Sequence, residues 1–274
     1  MNLTRMMAAL ALVSLSGAAS AYSVFPIDAT HSLKWGDNTN GTPGGVITWS
    51  FIPVGTSGSD YCGDACPGLS VGALNIENSP GTGYTSTPLT SLESYITAAF
   101  AKWSAVADIS FVKLNSDSGV PINDPAAVPN ATGHIRIGVF NFASGGGAVG
   151  FAPPPNGGTG SGDILFDANS YYAFQPGNDG DAFPLASTAP NDFESLLLHE
   201  MGHAIGLAHP AFSGTCAVMN VDAPCLGKIN RYLDADDIAG AQFLYGAPVP
   251  EPETWAMLLA GLASVGWAAR RRSI

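Results

Sequence analysis

The sequence predicts one mixed α+β domain of about 225 residues, and three observations predict it. Segments with strand character come mostly before those with helical character, the order of an α+β rather than a doubly wound chain. The length left after setting aside two atypical ends is enough for one core. No stretch of about 20–50 residues repeats, and the glycine-rich run at 156–163 occurs once.

Taken in order, residues 22–44 are polar and carry Gly and Pro without a clear period, so they read as an irregular N-terminal arm. Gly45 to Pro53, "GVITWSFIP", has the β-branched and aromatic content of a strand. Residues 54–90 are rich in Gly, Ser, Pro and Thr and read as a long surface insertion. Ser91 is placed as an N-cap, because Leu92, Ile96, Ala99, Phe100 and Trp103 then recur at helical spacing. "ISFVKLN" (109–115), "HIRIGVF" (134–140) and "GDILFD" (162–167) read as strands. A helix starts near Asp192, and a last one covers Ala235 to Leu244.

Both ends look like addresses. Residues 1–21 combine Arg5, an apolar run and a final Ala-Ser-Ala, the pattern of a secretory signal peptide cut after Ala21. Residues 249–274 hold Val249-Pro250-Glu251-Pro252, fifteen uncharged residues from Trp255 to Ala269, then Arg270, Arg271 and Arg272. This tail resembles the PEP-CTERM sorting signals. The resemblance implies export by a Gram-negative bacterium, transient membrane contact, processing by an exosortase, and release to the cell surface or beyond. A plain membrane anchor is the other reading.

Between the ends, 6 Lys and Arg face 20 Asp and Glu, of which 16 are Asp. Such an acidic chain argues against nucleic acid and anionic lipid as partners. The four cysteines fall as Cys62 with Cys66 and Cys216 with Cys225, which in an oxidising compartment predicts two small disulfide loops.

Chemistry concentrates at Leu196 to Pro210, "LLLHEMGHAIGLAHP", which holds three of the chain's five histidines. On a helix, His199 and His203 lie one turn apart on the same face. Glu200 projects beside them. Gly206 can end the helix in a left-handed conformation and return His209 as a third ligand. Three ligands suit zinc and leave one coordination position for water, the catalytic rather than the structural arrangement, with Glu200 as general base.

This extended motif resembles the metzincin zinc endopeptidases, and "CAVMN" supplies their methionine turn at Met219. Within that clan the nearest likeness is to matrixins. "ITWSF", "YITAAFAKWSAVADISFVKLN", "HIRIGVF", "GDILFDANS" and "LDADDIAGAQFLYG" match successive matrixin elements over residues 45–247. The resemblance implies a mostly parallel twisted sheet with one antiparallel edge strand, an active-site helix and a C-terminal helix. It also implies peptide-bond hydrolysis in protein substrates, with the peptide lying along the edge strand near residues 147–152. Phe151 and Leu165 stand where matrixins have ligands of a second zinc, so none is expected. Asp163 and Asp167 match matrixin calcium ligands; they either hold calcium or cap turns. No cysteine-switch motif stands in residues 22–45. His31 and His134 have no partner at a telling spacing and are expected away from metal. The rival to an enzyme is a non-catalytic surface or matrix protein on the same fold.

Overall fold

The computed structural model describes residues 22–59, 66–79, 81–117, 134–154, 160–183, 190–212 and 214–249. The leader (1–21), the tail beyond residue 249 and Cys62 lie outside the described residues. The chain begins with β1 (Ser23–Val24), β2 (Gly45–Phe51), β3 (Ala73–Glu77) and β4 (Thr85–Pro88). A 3-10 turn (Leu89–Leu92) leads into helix α1 (Glu93–Ser104). There follow β5 (Ile109–Lys113), β6 (Ile135–Phe140), β7 (Ala148–Gly150), β8 (Ile164–Asp167), β9 (Tyr171–Ala173) and β10 (Asn191–Asp192). Helix α2 (Phe193–Ala204), β11 (Leu207–Ala208) and helix α3 (Ala235–Tyr245) complete it.

The main sheet has the order β5-β2-β6-β8-β7. All its pairings are parallel except β7 with β8, where Val149 faces Leu165. The expected sheet with a single antiparallel edge strand is therefore present. β6 and β8 are buried along their whole length, which is why they read as continuous apolar runs rather than alternating ones. Arg136 in β6 and Asp167 at the end of β8 are the exceptions, and the Arg136 guanidinium forms a buried pair with Asp117 at 2.7 Å. Helices α1 and α2 share one core with the sheet, built around Trp49, Phe100, Trp103, Val139, Phe166 and Leu197.

Three expectations need correction. Residues 54–90 are not all surface insertion, because β3 and β4 pair as a hairpin in a second sheet of order β10-β9-β3-β4. Within β3 only Leu74 and Ile76 alternate into the core, too short a signal amid glycine and serine to stand out. Ser91 does not cap α1. It lies inside the 3-10 turn, where its hydroxyl donates to the Pro88 carbonyl at 2.6 Å, and α1 starts two residues later without a side-chain cap. The arm is not irregular throughout either, since β1 pairs with β11 and Ser32, Lys34 and Trp35 are buried.

Candidate active site

Asp192 starts α2 as N-cap, accepting from the Ser195 N–H at 3.0 Å. Arg231 forms an ion pair with the same carboxylate, which fixes the helix origin to the segment that follows the methionine. The helix runs to Ala204, and Gly206 then takes φ 104°, a conformation glycine adopts at little cost. The turn sends His209 back beside the helix. His209 Nε2 lies 3.0 Å from His199 Nε2 and 2.9 Å from His203 Nε2. Among the described residues these three histidines are the one group of three or more His, Cys, Asp or Glu that could share a metal.

Their outer nitrogens explain why they converge. His199 Nδ1 is 2.8 Å from the Val218 carbonyl, and His203 Nδ1 is 2.8 Å from the Leu207 carbonyl. A carbonyl only accepts, so each Nδ1 carries the proton and each Nε2 presents a lone pair inward. Burial holds the imidazole of His199 down at about 4 and that of His203 at about 3, so both are neutral at physiological pH. Lone pairs that close repel one another unless a cation sits among them, and imidazole nitrogens are zinc donors. The donor set fits that ion.

The supporting structure comes from far along the chain. Met219 is buried beneath α2, and a Cβ added at Gly202 would meet its Sδ at 2.1 Å, so only glycine lets the methionine turn pack this closely. Asp237 of α3 accepts from the N–H groups of Val218 at 2.8 Å and Met219 at 3.1 Å. It thereby fixes the carbonyl that orients His199. The arm holds the other side. Trp35 Nε1 donates to the Ala204 carbonyl at 2.8 Å, while the Tyr245 hydroxyl donates to the Ile205 carbonyl at 2.7 Å and accepts from Trp35 N–H at 3.1 Å. Trp35→Phe removes a buried donor and should lower stability by roughly 1–3 kcal/mol, measured by urea unfolding. An unchanged midpoint would refute this account of the turn.

Glu200 is 5% exposed and faces a cavity of about 550 Å³ that also contains the three histidines. Burial pushes its carboxyl up to about 7, against the opposing pull of a hydrogen bond from the Gly150 N–H in β7. Leu196, Val218 and Phe183 supply apolar wall, and Lys228 and Asn230 polar wall. Sequence reasoning placed the histidines, Glu200 and Met219. It started the helix near Asp192, where the cap stands, but missed the roles of Gly150, Gly202, Trp35 and Asp237, of which only Asp237 left a local trace, in the capping box of α3.

Other expected site residues lie elsewhere. Asp163 accepts from the Arg136 N–H at 2.6 Å, and Asp167 accepts from the Phe142 and Asn169 N–H groups, both at 3.0 Å. Leu165 packs in a small apolar cluster with Ile52 and Phe140, against which Phe151 lies. His31 bonds Asp28 at 2.8 Å, and His134 accepts from the Thr48 N–H at 3.0 Å, both away from the triad. Cys216 and Cys225 form a disulfide, and Cys66 is buried and disulfide-bonded.

Two histidines four apart on a helix, a third brought back by a glycine turn and a methionine beneath them define the class of the metzincins. Residues 81–246 match the family model of the matrixins, and the chain belongs to that family. Residues 248–272 match the PEP-CTERM protein-sorting motif. The chain is 31% identical over 171 residues to Metalloendoproteinase 2-MMP of Arabidopsis thaliana, covering 58% of this chain and 39% of that one. It is 33% identical over 155 residues to Metalloendoproteinase 1 of Glycine max, covering 56% and 45%. It is 30% identical over 159 residues to karilysin of Tannerella forsythia, covering 58% and 29%. The chain thus spans less than half the length of these curated relatives.

Proposed function

We propose that this chain is an exported zinc endopeptidase that hydrolyses peptide bonds in protein substrates. The observation that carries the reading is the convergence of three neutral imidazole nitrogens beside a buried carboxyl in an open cleft. His199, His203 and His209 would hold the ion, which supplies Lewis acidity to the scissile carbonyl and makes water acidic enough to react near neutral pH. Glu200 accepts the proton of the attacking water and passes it to the leaving amine nitrogen as the C–N bond breaks. The Gly150 N–H keeps that carboxyl aimed into the cleft. The outer edge of β7 offers backbone groups to an extended peptide lying antiparallel to it, which supports tolerance of many sequences. Met219 forms an apolar floor rather than a ligand.

Asp163 and Asp167 are assigned to holding backbone rather than calcium, Asp163 by accepting from the Arg136 N–H of β6 and Asp167 by accepting from Phe142 and, within its own turn, Asn169. The non-catalytic alternative has against it a complete ligand set with its base in place. We further read residues 1–21 as a leader, 22–44 as the arm, 45–247 as the catalytic domain and 249–274 as a tail. The tail tethers the protein to the membrane until an exosortase-type enzyme releases it to the surface or the medium; it matches the sorting motif.

Removing the metal tests this. Casein cleavage should vanish with 1,10-phenanthroline and return when one equivalent of zinc is restored to the dialysed protein. Cleavage that survives complete removal of zinc would sink the reading, as would a zinc-loaded protein that cuts neither casein, gelatin nor a peptide library.

A further inference from the structure

Six Lys and Arg lie among the described residues, and five of them are occupied. Lys34 donates to the carbonyls of Trp35 and Asp37 and to the Thr42 hydroxyl. Lys102 donates to the Arg231 carbonyl, Lys113 pairs with Glu93, Arg136 with Asp117 and Arg231 with Asp192. Lys228 differs. Among the described residues its ammonium has no acceptor, in a protein of formal net charge −12, and it lines the same cavity as His199 and Glu200. The carboxylates lining that cavity are Glu200 and Asp192. Asp192 is already taken up by Arg231, Ser195 and the Gln175 N–H.

The lysine also stands on a fixed support. Ala182 and Lys228 form an antiparallel bridge, flanked by Phe183 N–H to the Gly227 carbonyl at 2.7 Å and Ile229 N–H to the Asp181 carbonyl at 2.9 Å. On the other side Cys225 is bonded to Cys216. A half-buried cation on a rigid lip, with no internal counter-charge and an apolar wall beside it, attracts anions arriving from solvent.

We propose that Lys228 is a specificity-determining residue that selects peptides carrying a carboxylate close to the scissile bond. This inference rests on the endopeptidase reading. The carboxylate has two sources, an Asp or Glu side chain and the end of the substrate chain.

The test uses the zinc-loaded protein and quenched fluorescent peptides of one apolar sequence. Glu, Gln or Leu is placed in turn at each position flanking the cut, and every peptide is made as amide and as free acid. At one position Glu should be preferred to Gln by about tenfold in kcat/KM, the low end for a charged contact in a half-open cleft. That ratio should fall to about one in Lys228→Met, which keeps the aliphatic stem, and persist in Lys228→Arg. A Lys228-dependent preference confined to free acids supports the inference and assigns the chain end as the source. The same Glu and Gln peptides are titrated against the Glu200→Ala variant, where Kd should show the same dependence on Lys228. A Glu to Gln ratio equal in wild type and Lys228→Met at every position, in cleavage and in binding, overturns the inference. If no peptide or protein is cut at all, the endopeptidase reading fails, while the binding titration still judges Lys228.

Discussion

Glu200→Ala should keep one zinc per chain and lose roughly 10²–10⁴ in kcat/KM, the span general-base catalysis covers. The separation follows from the structure. Glu200 is not one of the three convergent groups, and the partners that orient the histidines are the carbonyls of Val218 and Leu207, which the substitution does not touch. His203→Ala should behave differently. It removes one of three donors, so zinc falls well below one equivalent after dialysis and activity goes with it. Zinc determination and casein hydrolysis on both variants decide the matter. If Glu200→Ala keeps full activity, the carboxyl is not the base. If His203→Ala holds stoichiometric zinc, the ligand assignment is wrong.

In the metal-free protein, Glu200→Gln should be more stable than wild type by on the order of 3 kcal/mol at pH 8 and about equal to it near pH 4. The folded state raises the Glu200 carboxyl from 4.5 to about 7 because ionisation would strand a charge in the interior. A group raised in this way contributes stability that is fully present below its unfolded value and is lost as pH rises through its folded value. His199 and His203 act in the opposite sense, since burial depresses them and their contribution is lost as pH falls below 6.5. Asp237, pushed up to about 6 by burial, runs parallel to Glu200. These three groups remain in both proteins, so the difference between the two unfolding curves isolates position 200. A difference that does not change between pH 4 and pH 8 would show that Glu200 is solvated in the folded state.

Much of the candidate metal site could be read in the sequence because it is local. Eleven residues carry all three histidines and the glutamate, a helix puts two of them on one face, and one glycine turns the chain for the third. The strands β6 and β8 could also be read from their apolar stretches, though their full burial emerged only in the folded chain. What holds the centre in place was not legible. Trp35 reaches the Ala204 carbonyl across 169 positions, and Asp237 reaches Val218 across 19. No periodicity reports such pairs, because each depends on where the completed sheet puts the two segments. The Ser91 misreading has a different cause. A serine before an apolar stripe suits an N-cap, yet the preceding proline turn offered its hydroxyl a nearer carbonyl. The hairpin of β3 and β4 escaped notice because its inward residues, Leu74 and Ile76, are only two.

The Tyr245 hydroxyl has a consequence for the order of assembly. It bridges Trp35 and Ile205, joining points 210 and 40 positions away, and it is the last residue of helix α3. Contacts of such separation close large loops and form late in folding. A chain whose last helix has not yet docked therefore lacks the residue that fastens the turn before His209. The turn that returns His209 gains this support only once the last helix has docked, so the geometry of the cleft depends on a residue from the far end of the domain.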